Sequence, residues 1–171
     1  LMKLAATRGW TNVDAKGVAW DKNFTPWKFK DDAAEADRGA SLSASFVAWK
    51  GYEKEYGVRW EFDPTTNSFK RGNGGVAHTD LETKKQLTAK SVVIMFAKET
   101  GPVDDHAHLL YANIGSGDGL LLQDGNVTKI IWKKADKSAR TKFFEANGKE
   151  VSLNKGQLWI EMLPIGTPVT Y

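Results

Sequence analysis

From Ala40 onward the chain alternates with a period of two. Ser43, Ser45 and Val47 interleave with Ala44, Phe46 and Ala48, which predicts a strand. Val58, Trp60 and Phe62 share one face while Arg59, Glu61 and Asp63 share the other, the signature of a half-buried strand in an antiparallel sheet. Asp63-Pro64-Thr65-Thr66-Asn67 is turn chemistry, and the return strand carries Phe69 and Arg71 before a flexible Gly72-Asn73-Gly74-Gly75 loop. Ser91–Ala97 (SVVIMFA) is apolar on both faces, so it belongs at the centre of a sheet covered on both sides. A further strand runs through His108–Ala112. Leu120–Leu122 and Val127–Trp132 flank Asp124-Gly125, and Phe143-Phe144 and Glu150-Val151 flank Asn147-Gly148. Both dipeptides are strong hairpin signals. Leu158, Ile160 and Met162 line one side of the last long strand, which ends at Pro164; Trp159 lies on the opposite side with Gln157 and Glu161 and is expected to be partly exposed. Strands at this spacing predict a mostly-β fold, an antiparallel sandwich or a partly closed barrel.

The first residues break this pattern. Leu1–Arg8 reads as a short helix ending at Gly9, a suitable C′ residue. A tryptophan-containing connector follows from Trp10 to Lys30, and Asp31–Gly39 reads as a surface loop or a single helical turn. The division expected is therefore 1–37 as the remnant of a preceding domain plus connector, and 38–171 as the β-rich domain. A chain that starts at Leu1 reads as a piece of a longer protein.

Composition narrows the chemistry. None of the 171 residues is cysteine, which excludes disulfides, Cys-based zinc sites and thiol catalysis. Lys plus Arg exceeds Asp plus Glu by 24 to 21, a net charge of +3, too small an imbalance to imply nucleic-acid binding. Lys133, Lys134, Lys137, Arg140 and Lys142 form the densest basic group. No segment approaches the ~20 apolar residues of a membrane span. Seven tryptophans must either be buried or bind something.

Three constellations merit a chemical reading. His78 and Asp80 leave the same face of an extended segment, so the carboxylate could orient the imidazole as a general base, with Ser116 as nucleophile. The simpler alternative is an Asp-anchored turn, and Gly115-Ser116-Gly117 lacks the strand-to-helix turn of a nucleophile elbow. Asp104, His106 and His108 are candidate metal ligands, set against a solvated loop. Gly115, Ser116 and Gly117 could form an anion nest with charge from Arg71, Lys133 and Arg140, or mark a close strand approach that only glycine permits. An exposed aromatic shelf beside lysine and arginine suits a polymer or carbohydrate, and Trp132, Trp159, Trp49, Tyr52 and Tyr56 are its candidates, with core packing as the competing role.

These residues, taken in order, also carry a resemblance. Trp60-Glu61-Phe62-Asp63, Arg71, His78 with Asp80, Leu87–Val93, Gln123-Asp124-Gly125, Trp132-Lys133-Lys134, Ala139-Arg140-Thr141, Gly148-Lys149, Leu153-Asn154 and Gly156–Ile160 resemble the C-terminal domain of YerB-like bacterial lipoproteins, over about Ser41 to Tyr171. The resemblance implies a secreted, lipid-anchored protein at the bacterial surface, a domain of unknown function, and no catalytic set to carry over. The expectation is a non-enzymatic, extracytoplasmic binding module without a cofactor. Its partner would be a protein or a cell-envelope polymer, its membrane attachment a lipid anchor outside this chain, and its site Arg71, His78, Gly115, Ser116, Gly117, Lys133, Arg140 and Trp159. The two hairpin turns, or a basic-aromatic face, would present that site. The alternative is a cell-envelope hydrolase using His78, Asp80 and Ser116.

Overall fold

The computed structural model describes residues 2–19, 21–22 and 24–171. Its strands in chain order are β1 (Lys28–Lys30), β2 (Ser43–Val47), β3 (Gly57–Asp63), β4 (Ser68–Asn73), β5 (Val76–Ala77), β6 (Thr88–Ala89), β7 (Ser91–Ala97) and β8 (Glu99–Thr100). They continue with β9 (Leu110–Tyr111), β10 (Gly115–Gln123), β11 (Asn126–Lys134), β12 (Lys142–Glu145), β13 (Ser152–Asn154), β14 (Leu158–Pro164) and β15 (Val169–Thr170). Helix is confined to α1 (Met2–Thr7), α2 (Glu53–Tyr56) and one 3-10 turn at Glu35–Asp37. Leu1, the first residue of the expected N-terminal helix, and Trp20 in the connector lie outside the described residues.

Two sheets face each other. One runs β15-β2-β3-β4-β5, with β6 also on β4; the other runs β12-β11-β10-β7-β14. Neither closes, so the fold is a β-sandwich and not a barrel. Trp60, Phe62 and Phe69 from the first sheet pack on Val92, Ile94, Leu120 and Leu122 from the second. Burying each such side chain contributes about 1.5–3 kcal/mol, which makes this interior the main stabilising unit.

The second sheet is buried on its other face too, as the doubly apolar Ser91–Ala97 segment predicts. Val93, Met95, Leu121, Ile130, Trp132 and Phe143 form a second core, covered by Val151, Leu153 and Trp27. The connector supplies part of this cover. Trp27 stacks on Phe143 with ring centroids 6.1 Å apart and donates its indole N–H to the Thr141 carbonyl at 2.7 Å. Strand β1 pairs in parallel with β13.

Strand direction departs from the antiparallel expectation at the sheet edge, because β14 runs parallel to β7. After β12 the chain crosses the second core through β13 and returns on the far side of β7. A period of two is the same in either direction, so alternation cannot report this. Trp159 is half-buried, in line with the expected partial exposure, but its covered side faces inward. The register Trp159–Val92 and Glu161–Ile94 turns the polar side of β14 toward the first sheet, and Trp159 packs on the main core.

The Asp124-Gly125 hairpin joins β10 to β11 but does not present an exposed tip. Asp124 is buried. Its Oδ1 accepts hydrogen bonds from Asn67 Nδ2 at 2.7 Å and Asn154 Nδ2 at 2.6 Å, and its Oδ2 pairs with Lys30 Nζ at 2.6 Å. Burial pushes this carboxyl upward, but the Lys30, Asn67 and Asn154 donors together hold it below its ordinary value. The turn is thus a fastening point for four separate chain segments. The Asn147-Gly148 turn, by contrast, is exposed.

Candidate functional site

The residues singled out from the sequence separate into four places. Arg71, His78 and Trp159 gather inside the sandwich. The Arg71 guanidinium lies 5.0 Å from the Trp159 ring centroid and 5.7 Å from that of Trp60. Its Nε donates to Glu161 Oε1 at 3.1 Å, and Trp60 Nε1 donates to the same oxygen at 3.2 Å. Arg71 Nη1 sits 2.5 Å from His78 Nδ1. Arginine has no acceptor, so Nδ1 is the acceptor and His78 carries its proton on Nε2. Glu161 is the residue that sequence reasoning missed. It stands on the polar side of β14, and only the crossover aims that side inward.

This arrangement does not assemble the hydrolytic set. His78 Nδ1 is occupied by Arg71. Asp80 instead accepts from the backbone N–H and the hydroxyl of Thr83, each at 2.7 Å, and these bonds lower its pKa. It anchors a turn, the simpler of the two sequence readings. Ser116 lies elsewhere, at the start of β10. Gly115-Ser116-Gly117 is strand, paired with Trp132–Lys134, and a β-carbon on Gly117 would meet Trp132 Nε1 at 2.7 Å and the Phe96 carbonyl oxygen at 2.9 Å. The expected close approach is therefore present here.

The candidate metal ligands resolve into a turn as well. Asp104 Oδ1 accepts the backbone N–H groups of His106 and His108, both at 3.1 Å, and Oδ2 meets His108 Nδ1 at 2.6 Å. The His108 side-chain hydrogen bond is the largest influence lowering the Asp104 pKa. No group of three or more His, Asp or Glu is poised for a metal among the described residues. The expected strand over His108–Ala112 shrinks to Leu110–Tyr111, because Asp104 draws the segment before it into this turn.

Lys133 and Arg140 do come together. With Lys142 and Phe144 they border a groove of about 260 Å³ whose lining contains no carboxylate. A second depression of about 390 Å³, lined by Phe24, Trp27 and Ile160 among others, continues from the other side of Arg140. The Arg140 guanidinium lies 4.4 Å from the Trp27 centroid and 4.8 Å from that of Phe24, and Lys133 Nζ lies 5.1 Å from the Phe144 ring. The loop that carries Arg140 is held by Asp136, whose Oδ1 accepts from Ser138 Oγ at 2.6 Å and from the N–H groups of Ser138 and Ala139 at 2.8 Å. The Ser138 hydroxyl is the largest cause of the lowered Asp136 pKa. Lys134 Nζ donates to the Ala139 carbonyl on the same loop. Phe24, Trp27 and Phe144 were not among the sequence candidates for binding. Trp27 and Phe24 belong to the connector, which the β1–β13 pairing and the Trp27–Thr141 hydrogen bond bring to Arg140.

The architecture is thus that of a small β-sandwich domain with a basic-aromatic groove along one sheet edge. The chain belongs to the family described as protein of unknown function (DUF3048), C-terminal domain, whose model matches residues 47–160. A relative from Bacillus subtilis named "Putative lipoprotein YerB" is 29% identical over 108 residues, covering 63% of this chain and 31% of that protein. The crystal structure of the YerB protein from Bacillus subtilis matches with a TM-score of 0.69 at 20% identity, over 99% of this chain and 52% of that one. That structural likeness is one of fold. The chain spans about half of the solved structure's length and less than a third of the curated relative's.

Proposed function

We propose that this is a non-enzymatic recognition domain of an extracytoplasmic, lipid-anchored bacterial protein, that residues 1–37 lead into it from a preceding domain, and that it takes an anionic cell-envelope polymer along the groove at Lys133, Arg140 and Lys142. The observation that carries this reading is Arg140 itself. Its guanidinium is fixed over two aromatic rings yet has no carboxylate within ion-pair distance among the described residues. A guanidinium oriented this way loses little entropy on meeting a phosphate or carboxylate. Lys133 and Lys142 extend the positive strip, and Lys142 has only a loose partner, Glu150 at 3.9 Å. The lipoprotein name of the Bacillus subtilis relative supports the location proposed.

The test is capture on an immobilised glycerol-phosphate polymer. R140E and K133E are each expected to weaken retention about tenfold at low salt, and added salt should erode wild-type retention. Unchanged capture by both variants refutes the groove.

A further inference from the structure

A second concavity lies at the opposite side of the β10–β11 ladder from this groove. Pairing between β7 and β10 stops at Met95–Gly119, although β7 continues to Ala97 and β10 begins at Gly115. Trp132, opposite Gly117 on β11, holds the two strands at this point by donating its indole N–H to the Phe96 carbonyl at 3.0 Å. Beyond it the strands part and open a cleft of about 500 Å³, a volume ordinary for small-ligand sites. The floor is Trp132 and Gly117. Ile114 and Ile165 form an apolar rim, 44% and 69% exposed.

Four polar side chains also border the cleft: Lys98, Ser116, Asp118 and Thr167. None of them makes a hydrogen bond or ion pair with another described residue. This sets the cleft apart from the acidic turns at Asp80, Asp104 and Asp136, where the carboxylates are occupied by their own loops. An apolar floor with one free ammonium and one free carboxylate at its mouth selects against most ligand classes. A fatty acid would set its carboxylate near Asp118, a hydrophobic amine would meet Lys98, and an uncharged apolar molecule would engage neither charge. A zwitterion with an apolar body satisfies both.

We propose that the cleft between the parted ends of β7 and β10 is a binding site for a short apolar peptide with free termini, its carboxylate on Lys98, its ammonium on Asp118 and its side chains against Ile114 and Ile165. This inference does not rest on the basic groove, which lacks a carboxylate and suits a polyanion. Ser116 belongs to the cleft and pairs in the ladder with Lys133 of the groove, so the two sites share one rung but not their charged groups.

Isothermal titration with the dipeptide Leu-Phe, its N-acetyl form and its C-terminal amide tests the assignment on the intact chain. Leu-Phe is expected to bind, and blocking either terminus should weaken it about tenfold. D118N should then bind the free and acetylated peptides alike, and K98M the free and amidated peptides alike. Both changes are at exposed positions and leave the fold intact. R140E should leave all three affinities unchanged, which separates this site from the groove. No binding of Leu-Phe by the wild type overturns the assignment, as do equal affinities for the three forms or indifference to both K98M and D118N.

Discussion

Arg71 and Arg140 each lie over two aromatic rings, yet they occupy opposite electrostatic situations. Arg71 has an 8% exposed side chain and an ion pair to Glu161. Its charge is spent inside the molecule, on Glu161, His78, Trp60 and Trp159. Arg140 has closer rings but no carboxylate partner among the described residues, and it stands at the edge of a groove bordered by two more cations. The same residue type on the same kind of aromatic support therefore fastens two sheets in one place and leaves a charge available in the other. What distinguishes the two positions is the opposing strand. β14 brings Glu161 to Arg71, whereas β12 is an edge strand with no neighbouring strand to bring a carboxylate to Arg140.

The comparison breaks most sharply at Arg71. Arg71→Met leaves the largely covered Glu161 carboxylate without its cationic partner, so a loss of about 3 kcal/mol in urea unfolding is expected. The double change Arg71→Met with Glu161→Leu should recover most of it, and failure to recover would mean that the cluster does not act as a pair. The two hairpin turns sharpen the same contrast between used and free positions. A β-carbon at Gly125 would lie 2.6 Å from Phe62 and 2.9 Å from Gly39 at φ +71°, whereas at Gly148 it meets nothing at φ +83°. Gly125→Ala should cost about 2–4 kcal/mol, combining left-handed backbone strain with overpacking. Gly148→Ala carries only the backbone part, about 1 kcal/mol. Equal effects on the melting transition would remove the distinction.

Asp124 gives the pH arm. Donors from Lys30, Asn67 and Asn154 outweigh burial and hold the folded carboxyl below its ordinary 3.8. Its contribution is then complete above that pH and is lost as acid titrates the folded form. Asp124→Asn should cost about 2–3 kcal/mol at neutral pH, and the gap to the wild type should narrow below about pH 4. A gap that persists undiminished into acid would exclude the carboxylate as the source. The smallest effect falls on Arg140. Arg140→Met should change stability by less than about 1 kcal/mol, in keeping with a residue that supports recognition and not the fold.

Much of the frame was legible in the residues. Alternation at Val58–Phe62 located β3 and its buried face, the doubly apolar Ser91–Ala97 run located the central strand, and Asp124-Gly125 located the β10–β11 turn. The site was legible only as a set of residue types. Lys133 and Arg140 were visible as basic density, but the aromatic neighbours of Arg140, Phe24 and Trp27, are over a hundred positions away. Arg71 and Trp159 read as surface chemistry because their partner, Glu161, occupies a side of β14 that alternation marks as polar. Asp80 and Asp104 were ambiguous between chemistry and turn, and local backbone donors decided both in favour of the turn.

Alternation and turn chemistry depend on each residue's immediate neighbours, so the sequence by itself determined that strands form and where most of them turn. Only the tertiary structure decided which polar residues become interior. The crossover that lays β14 parallel to β7 turns Glu161 toward Arg71, and the connector's pairing with β13 sets Phe24 and Trp27 beneath Arg140. Those choices come from contacts between distant segments, where the desolvation of a charge is offset only by a partner that no local pattern encodes.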